Sequence, residues 1–208
     1  MGETIVVVHG IWHKETDFIL LRQRLKRCGY HVKLFRYPSV LYSVPQNAAR
    51  LHHFLQRIDS DVVHFVAHSL GGLVVRRLFH DFPHQRPGRV ITLGTPHQGS
   101  TVARVLHRKA YARILVGRSV EGGLRGDLPP WQAGHDIGVI AGTKSVGMGW
   151  LIAPLAQPND GTVALVESRL DGAADYITLP HSHTGLLFSQ SVVHQMCAFL
   201  RNGRFLHA

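Results

Sequence analysis

The sequence predicts an α/β fold, in which a sheet of about six parallel strands carries helices on both faces. Apolar, β-branched runs alternate along the chain with segments of helical period, an order typical of parallel sheets. The run Ile5-Val6-Val7-Val8 is apolar at every position, as expected for a strand that is buried on both faces. With 208 residues, of which 45% are hydrophobic and 17% charged, the chain is long enough to bury one substantial core.

The predicted elements follow one another in a regular order. The apolar runs predict strands at residues 4–9, 31–37, 61–67, 89–94, 137–141 and 175–179. The segments of helical period predict helices at residues 16–28, 46–58, 70–81, 101–115 and 192–202, with a shorter one at 162–168. Connections between parallel strands are right-handed, and the functional residues of such sheets lie at the carboxyl ends of the strands.

The domain organisation is simple. Residues 1–208 are predicted to form a single domain, because no repeat, low-complexity tract or linker divides the sequence. The segment 116–134 interrupts the alternation and is rich in glycine and proline. We expect this segment to be a mobile loop or a small cap over a site.

The formal net charge is +10, and many of the cations lie in two stretches, residues 22–36 and 104–118. This balance favours anionic partners, namely phospholipid headgroups, acidic substrates or nucleic acid. No nucleic-acid-binding module is recognisable, and aromatic residues do not alternate with the basic ones in a stacking pattern. A solvated basic face is therefore the first interpretation, and peripheral contact with an anionic membrane the second. The oligomeric state does not follow from these features.

The cellular location of the protein is predicted from its apolar stretches and from the start of the chain. No apolar stretch reaches the roughly 18 residues that a membrane-spanning helix needs, and the start of the chain lacks the pattern of a signal peptide. We expect a cytoplasmic protein, with a secreted mature form whose leader has been removed as the alternative.

The sequence contains two cysteines, Cys28 and Cys197. They lack metal-ligand spacing, so we expect buried, unpaired thiols, with one disulfide as the alternative.

A serine stands at the change from the third strand to the third helix, in the stretch Ala67-His68-Ser69-Leu70-Gly71-Gly72. Such a serine is either the N-cap of the helix or a nucleophile raised on a strained turn. The strained turn needs small residues two before and two after the serine, because backbones pass close together there. Ala67 and Gly71 meet this requirement, although the first position usually holds glycine.

A serine nucleophile needs a base and an orienting carboxylate, in the chain order Ser, acid, His, each after a strand. Asp160 follows the fifth strand and its loop, so it is the candidate acid, with an N-cap of the next helix as its alternative role. Asp171, which resembles a turn residue, and Asp175, which opens a strand, are weaker candidates. Of His181 and His183 we favour His183 as the base, because it directly precedes the start of a helix. A metal site on these two histidines would need a third ligand, and none is evident.

The oxyanion hole of such a site requires two backbone N–H donors. Leu70 directly follows the serine, and Ile11 lies in the loop after the first strand, so these two residues are the candidate donors. Trp12 is a candidate for lining the substrate pocket, with a covering role at the sheet edge as the alternative. His68 and His97 are further candidates for the same pocket.

These segments resemble those of the α/β-hydrolases, and among them the small bacterial triacylglycerol lipases and carboxylesterases. The resemblance rests on Val7-Val8-His9-Gly10-Ile11, on the serine turn, on residues 93–100 (LGTPHQGS, a loop also found in GPI inositol-deacylase-like proteins) and on residues 159–187. It implies Ser69 as nucleophile, Asp160 as acid, His183 as base, and Ile11 and Leu70 as oxyanion donors. It also implies a minimal form of the fold, with the second strand beside the first, followed by the third to the sixth.

The residues and the resemblance together predict a serine carboxylic-ester hydrolase that works through an acyl-enzyme. We expect a small-molecule or lipid ester as substrate, and neither a metal nor an organic cofactor. A membrane-associated phospholipase or acyltransferase is the alternative, motivated by the basic stretch 104–118 and the segment after it. A binding protein that keeps the fold without catalysis is the third interpretation.

Overall fold

A parallel sheet of six strands organises the chain. We analysed a computed structural model, which describes residues 2–131, 134–147 and 149–207, except for the side chains of residues 150 and 151. The strands are β1 (Thr4–Val8), β2 (His31–Phe35), β3 (Val63–His68), β4 (Val90–Leu93), β5 (Ile137–Gly142) and β6 (Asp175–Leu179). Their order in the sheet is β2-β1-β3-β4-β5-β6, and every neighbouring pair is parallel. The predicted fold class and strand order are therefore confirmed.

Helices cover both faces of this sheet. They are α1 (Ile19–Arg27), α2 (Val44–Leu55), α3 (Leu70–Asp81), α4 (Thr101–Arg108), α5 (Arg113–Val116), α6 (Gly149–Ile152), α7 (Leu165–Ser168), α8 (Gly185–Phe188) and α9 (Gln190–Asn202), with 3-10 turns at Glu15–Phe18 and Gly117–Val120. Alternate residues of β1 point to opposite faces. Val6 and Val8 join the core beneath α2 and α3, whereas Ile5 and Val7 join the core beneath α1 and α9. No helix within the described residues is long and apolar enough to cross a membrane.

Two of the predicted helices are shorter than expected. The helix predicted at 101–115 ends at Arg108, and the chain turns before α5 begins, so that Ala112 and Val116 are buried against the core. The helix predicted at 162–168 begins only at Leu165, because the residues before it form a tight turn around Asp160.

The segment 116–134 packs against the core in the part that the structure describes. Val116, Val120, Leu124 and Trp131 are all buried there. Residues 132 and 133 lie outside the described residues, and the mobility of this segment stays a prediction.

The two cysteines form a disulfide between Cys28 and Cys197, so the expectation of unpaired thiols was wrong. Cys28 caps the carboxyl end of α1 and Cys197 lies within α9. Both helices pack on the same face of the sheet, which brings the two Cα atoms to 6.5 Å although 169 positions separate them in the sequence.

Candidate active site

Ser69 lies on a strained turn between β3 and α3. Its backbone has φ 54° and ψ −122°, a region that residues with a side chain rarely adopt. Neighbouring strand ends hold this conformation, because the Ser69 N–H donates to the Leu93 carbonyl at 2.9 Å and the Ser69 carbonyl accepts from the Thr95 hydroxyl at 2.9 Å. The Ser69 side chain does not cap the helix.

The two glycines after Ser69 are required by close contacts with neighbouring segments of the chain. A Cβ atom on Gly71 would lie 2.3 Å from the Val8 carbonyl oxygen, and one on Gly72 would lie 2.2 Å from the Thr95 hydroxyl. Ala67 is fully buried on β3, between Val8 of β1 and Thr92 of β4. A larger side chain at Gly71 would therefore displace the end of β1.

His183 and Asp160 form a buried pair at the carboxyl ends of β5 and β6. The His183 Nδ1 lies 2.7 Å from Asp160 Oδ2, and both side chains are largely buried. The other carboxylate oxygen of Asp160 accepts from the N–H groups of Thr162 at 2.9 Å and Val163 at 2.7 Å. One carboxylate thus holds a turn and orients a histidine, whereas the N-cap of α7 is Ala164 rather than Asp160. The carboxylate accepts from Nδ1–H, which leaves the lone pair on Nε2 of His183.

The alternatives to Asp160 as the acid and to His183 as the base do not line the Ser69 pocket described below. Asp175 accepts from the Phe205 N–H at 2.8 Å and pairs with His207 at 3.0 Å. Asp171 is exposed in a turn. His181 directs Nε2 to the hydroxyls of Ser189 and Ser191 at the start of α9.

Ser69 and His183 line one pocket of about 190 Å³, which we term the Ser69 pocket. Most of its remaining wall is apolar and comes from the loop after β1, from α4, from the end of α5 and from the segment after it, with Ile11, Trp12, Val102, Ala103, Leu106, Val116 and Leu124. Among the described residues, Ser69 Oγ makes no hydrogen bond to the His183 ring. In enzymes without bound substrate this bond is often long and shortens when substrate binds.

The two candidate oxyanion donors belong to the residue after Ser69 and to a loop that lines the Ser69 pocket. Leu70 is the first residue of α3, where N–H groups have no partner within the helix. Ile11 lies in the loop after β1 and lines the Ser69 pocket. No hydrogen bond of either N–H is found within the described part of the chain. Both groups are therefore free to bind an anionic oxygen.

His68 and His97 do not line the Ser69 pocket, so the prediction that they would was wrong. His68 is buried beside the base, with its Nε2 3.1 Å from the His183 carbonyl oxygen and its ring 4.6 Å from the His183 ring. Burial holds the pKa of His68 well below its ordinary value. His97 bonds the Thr92 hydroxyl at 3.0 Å and borders a separate pocket of about 140 Å³ beside Arg76. Trp12 lines the Ser69 pocket, and its contact with substrate stays a prediction.

His13, which no sequence motif indicated, lines the Ser69 pocket as well. Its Nδ1 lies 2.9 Å from Asp17 Oδ2. The position of His13 two residues after Ile11, in the same loop, was the available signal. No cluster of three or more metal-ligating side chains is found among residues 2–131, 134–147 and 149–207.

Comparisons with known proteins identify the fold. No protein-family model matches the sequence, and no curated protein matches it. The mature lipase BlEst2 of Bacillus licheniformis is 23% identical, with 96% of this chain and 91% of the other covered and a TM-score of 0.73. The α/β hydrolase MGS-MChE2, from the metagenome of lagoon sediments in Morocco, is 20% identical, with 90% and 85% covered and a TM-score of 0.63. Phospholipase PlaB of Legionella pneumophila is 17% identical, with 95% of this chain but 55% of PlaB covered and a TM-score of 0.72. The chain has the α/β-hydrolase fold in a minimal, six-stranded form.

Proposed function

We propose that the protein is a serine hydrolase of carboxylic esters that works through an acyl-enzyme. The observation that carries this proposal is the strained Ser69 turn, which shares a pocket with a histidine that a buried carboxylate orients. A strained serine on a strand-to-helix turn is typical of nucleophiles in this fold. Strain of this kind costs about 1–3 kcal/mol and persists where it serves a function.

In the proposed reaction, His183 Nε2 takes the hydroxyl proton of Ser69 as the oxygen attacks the ester carbonyl. The tetrahedral oxyanion accepts hydrogen bonds from the N–H groups of Ile11 and Leu70. His183 then gives the proton to the departing alcohol, and water repeats the sequence to release the acid. Asp160 keeps the His183 ring in the tautomer that leaves Nε2 free to accept the proton.

The Ser69 pocket favours short to medium acyl chains. Its volume is about 190 Å³ and its wall is mostly apolar, so it suits the hydrocarbon part of an ester. The lipase BlEst2, which has the same fold, supports an ester as the substrate class.

The test is covalent labelling with a fluorophosphonate probe together with hydrolysis of a chain-length series of p-nitrophenyl esters. We expect labelling of wild type and none of Ser69→Ala, with activity on short esters falling by about 10⁵-fold or more in that variant. Ser191→Ala, which changes an exposed serine on α9, is the matched control and should behave as wild type. Equal labelling of wild type and Ser69→Ala would contradict the proposal, and binding of an ester without labelling or turnover would favour a non-catalytic binding protein.

A membrane-associated phospholipase or acyltransferase is the second candidate, and the α4–α5 segment favours it. Tyr111 and Ile114 are 80% and 81% exposed there. The same segment carries four exposed basic residues, namely Arg104, Arg108, Lys109 and Arg113. The same segment supplies part of the wall of the Ser69 pocket, so a lipid surface bound there would lie beside the pocket. Phospholipase PlaB has the same fold.

Rates measured on lipid vesicles and on soluble esters distinguish the ester hydrolase from the phospholipase. A phospholipase should act faster on anionic phosphatidylglycerol vesicles than on soluble esters, and salt should reduce this rate because it screens the cations. Ile114→Ser should lower the vesicle rate and leave soluble esters unaffected. Rates on vesicles that neither exceed those on soluble esters nor respond to salt would exclude the second candidate.

A further inference from the structure

The backbone of His183 is held at two points. Its N–H donates to the Asp160 carbonyl oxygen at 2.8 Å, and its carbonyl oxygen lies 3.1 Å from Nε2 of His68. His68 directly precedes Ser69 in the chain, at the end of β3. One side chain therefore ties the backbone of the proposed nucleophile to the backbone of the proposed base.

The hydrogen bond to His183 fixes the tautomer of His68. A carbonyl oxygen can only accept, so Nε2 of His68 carries the proton and donates it. Nδ1 then keeps a lone pair, and this atom is buried without a partner in the described part of the chain. Burial holds the pKa of His68 well below its ordinary value. The neutral ring places no positive charge beside the imidazolium that forms on His183 during the proposed reaction.

Two loops of the candidate site enclose the His68 ring. The loop after β6 supplies the His183 ring, whose centroid is 4.6 Å from that of His68. The loop after β1 supplies the His13 ring at 4.9 Å, and a Cβ atom on Gly10 of the same loop would lie 3.2 Å from His68 Nδ1. Because His68 is only 1% exposed, its ring cannot turn away from His183 without displacing these neighbours.

We propose that His68 is a positioning residue, whose hydrogen bond to the His183 carbonyl sets the separation between the base and the Ser69 hydroxyl. This inference rests on the proposed ester hydrolase. The bond between Ser69 and the His183 ring has to form during the reaction, so the placement of the His183 backbone decides whether it can. Loss of the His68 donor would leave a buried carbonyl oxygen unpaired and favour a shift of this backbone toward another donor.

The test removes the donor and keeps an aromatic ring of similar shape. His68→Phe should lower kcat on p-nitrophenyl butyrate by about 10- to 100-fold, with KM changed less than about threefold, because the base is misplaced and the ester pocket is not. Fluorophosphonate labelling of Ser69 should slow by a similar factor, since it depends on the same base. His68→Gln can place an amide N–H where Nε2 lies, and it should keep kcat within about threefold of wild type.

His64→Phe is the matched control. His64 is buried near the start of the same strand, and its Nδ1 accepts from the Arg89 N–H at 2.9 Å. This change also removes a hydrogen bond between a buried histidine and a backbone group, so it should lower Tm as His68→Phe does. It should leave kcat and the labelling rate unchanged at temperatures where the variant is folded, because His64 has no contact with the candidate site.

A measurement on wild type does not depend on the folding of any variant. A long-range ¹H–¹⁵N NMR spectrum, with His68 assigned from its backbone connections to Ser69, should show this ring neutral and protonated on Nε2 at about pH 7. A ring protonated on Nδ1 instead would overturn the inference, because Nε2 could not then donate to His183.

Two results with the variants would also overturn the inference. One is a wild-type kcat and labelling rate in His68→Phe. The other is an equal loss of kcat in His68→Gln and His68→Phe, because a donor at this position would then make no difference. Labelling keeps the two proposals apart. Equal labelling rates in wild type and His68→Phe overturn only the role of His68, whereas a wild type that is not labelled contradicts the hydrolase itself.

Discussion

Replacing Gly71 by alanine should impair catalysis more than it impairs stability. A Cβ atom at this position would lie 2.3 Å from the Val8 carbonyl oxygen, 2.7 Å from the His9 carbonyl oxygen and 2.9 Å from the Val8 carbonyl carbon. All three contacts are with backbone, so no side chain can rotate to relieve them. The end of β1 must move, and it carries the loop that contains Ile11.

The expected magnitudes differ for the two properties. Forcing one extra methyl group into a packed core typically costs about 1–3 kcal/mol, which lowers Tm by about 3–10 °C in a chain of this length. Loss of one oxyanion donor typically lowers kcat by about 10²–10³-fold. A shift of Ile11 should therefore lower turnover at temperatures where Gly71→Ala is still fully folded.

The assay measures Tm by circular dichroism and kcat on p-nitrophenyl butyrate, for wild type and two variants. Gly134→Ala is the control, because no described atom lies within 4 Å of its added Cβ, and it should match wild type in both properties. The reasoning would be refuted if Gly71→Ala retained both the Tm and the kcat of wild type. A loss of Tm with unchanged kcat would show that the clash is relieved without moving Ile11.

Three further predictions concern other parts of the chain. Asp160→Asn should lower kcat by about 10⁴-fold because His183 loses its tautomer, and a loss below tenfold in ester hydrolysis would contradict the proposed role. Cys197→Ser should lower the free energy of unfolding in urea by about 2–5 kcal/mol, and thiol titration of denatured, unreduced wild type should find no free thiol. Burial holds the pKa of His68 and of His97 well below the ordinary value of about 6.5. The unfolded chain therefore binds more protons below pH 6.5, so stability should be full above that pH and should fall as pH is lowered toward 5. A urea midpoint that does not change between pH 7.5 and 5 would contradict this.

The sequence was most informative about short-range patterns. The apolar runs predicted the six strands, because side-chain alternation and burial are local properties of a strand. The stretch around Ser69 predicted close backbone contact, since residues within three positions of the serine form the whole turn. The order of Ser69, Asp160 and His183 along the chain predicted that they lie near one another, because parallel strands end at the same edge of the sheet.

The positions of single side chains were less predictable. His68 and His97 lie within or near the motifs that carry the resemblance, yet both point into the protein interior. The direction of each side chain depends on the local path of the backbone. Along a strand, a shift of one position moves the side chain to the opposite face of the sheet. His13 was missed for a related reason, because only the path of the loop after β1 brings it into the wall of the Ser69 pocket.

The sequence alone was enough to predict the class of fold, the strand order implied by the resemblance and the three residues proposed to carry the chemistry. Each of these depends on local patterns or on the order of segments along the chain. Only the tertiary structure joined Cys28 to Cys197, brought the His68 ring to the carbonyl oxygen of His183 and placed α4 along the wall of the Ser69 pocket. These features arise from side chains on distant segments that meet when the helices pack on the sheet, and no spacing along the chain encodes such contacts directly.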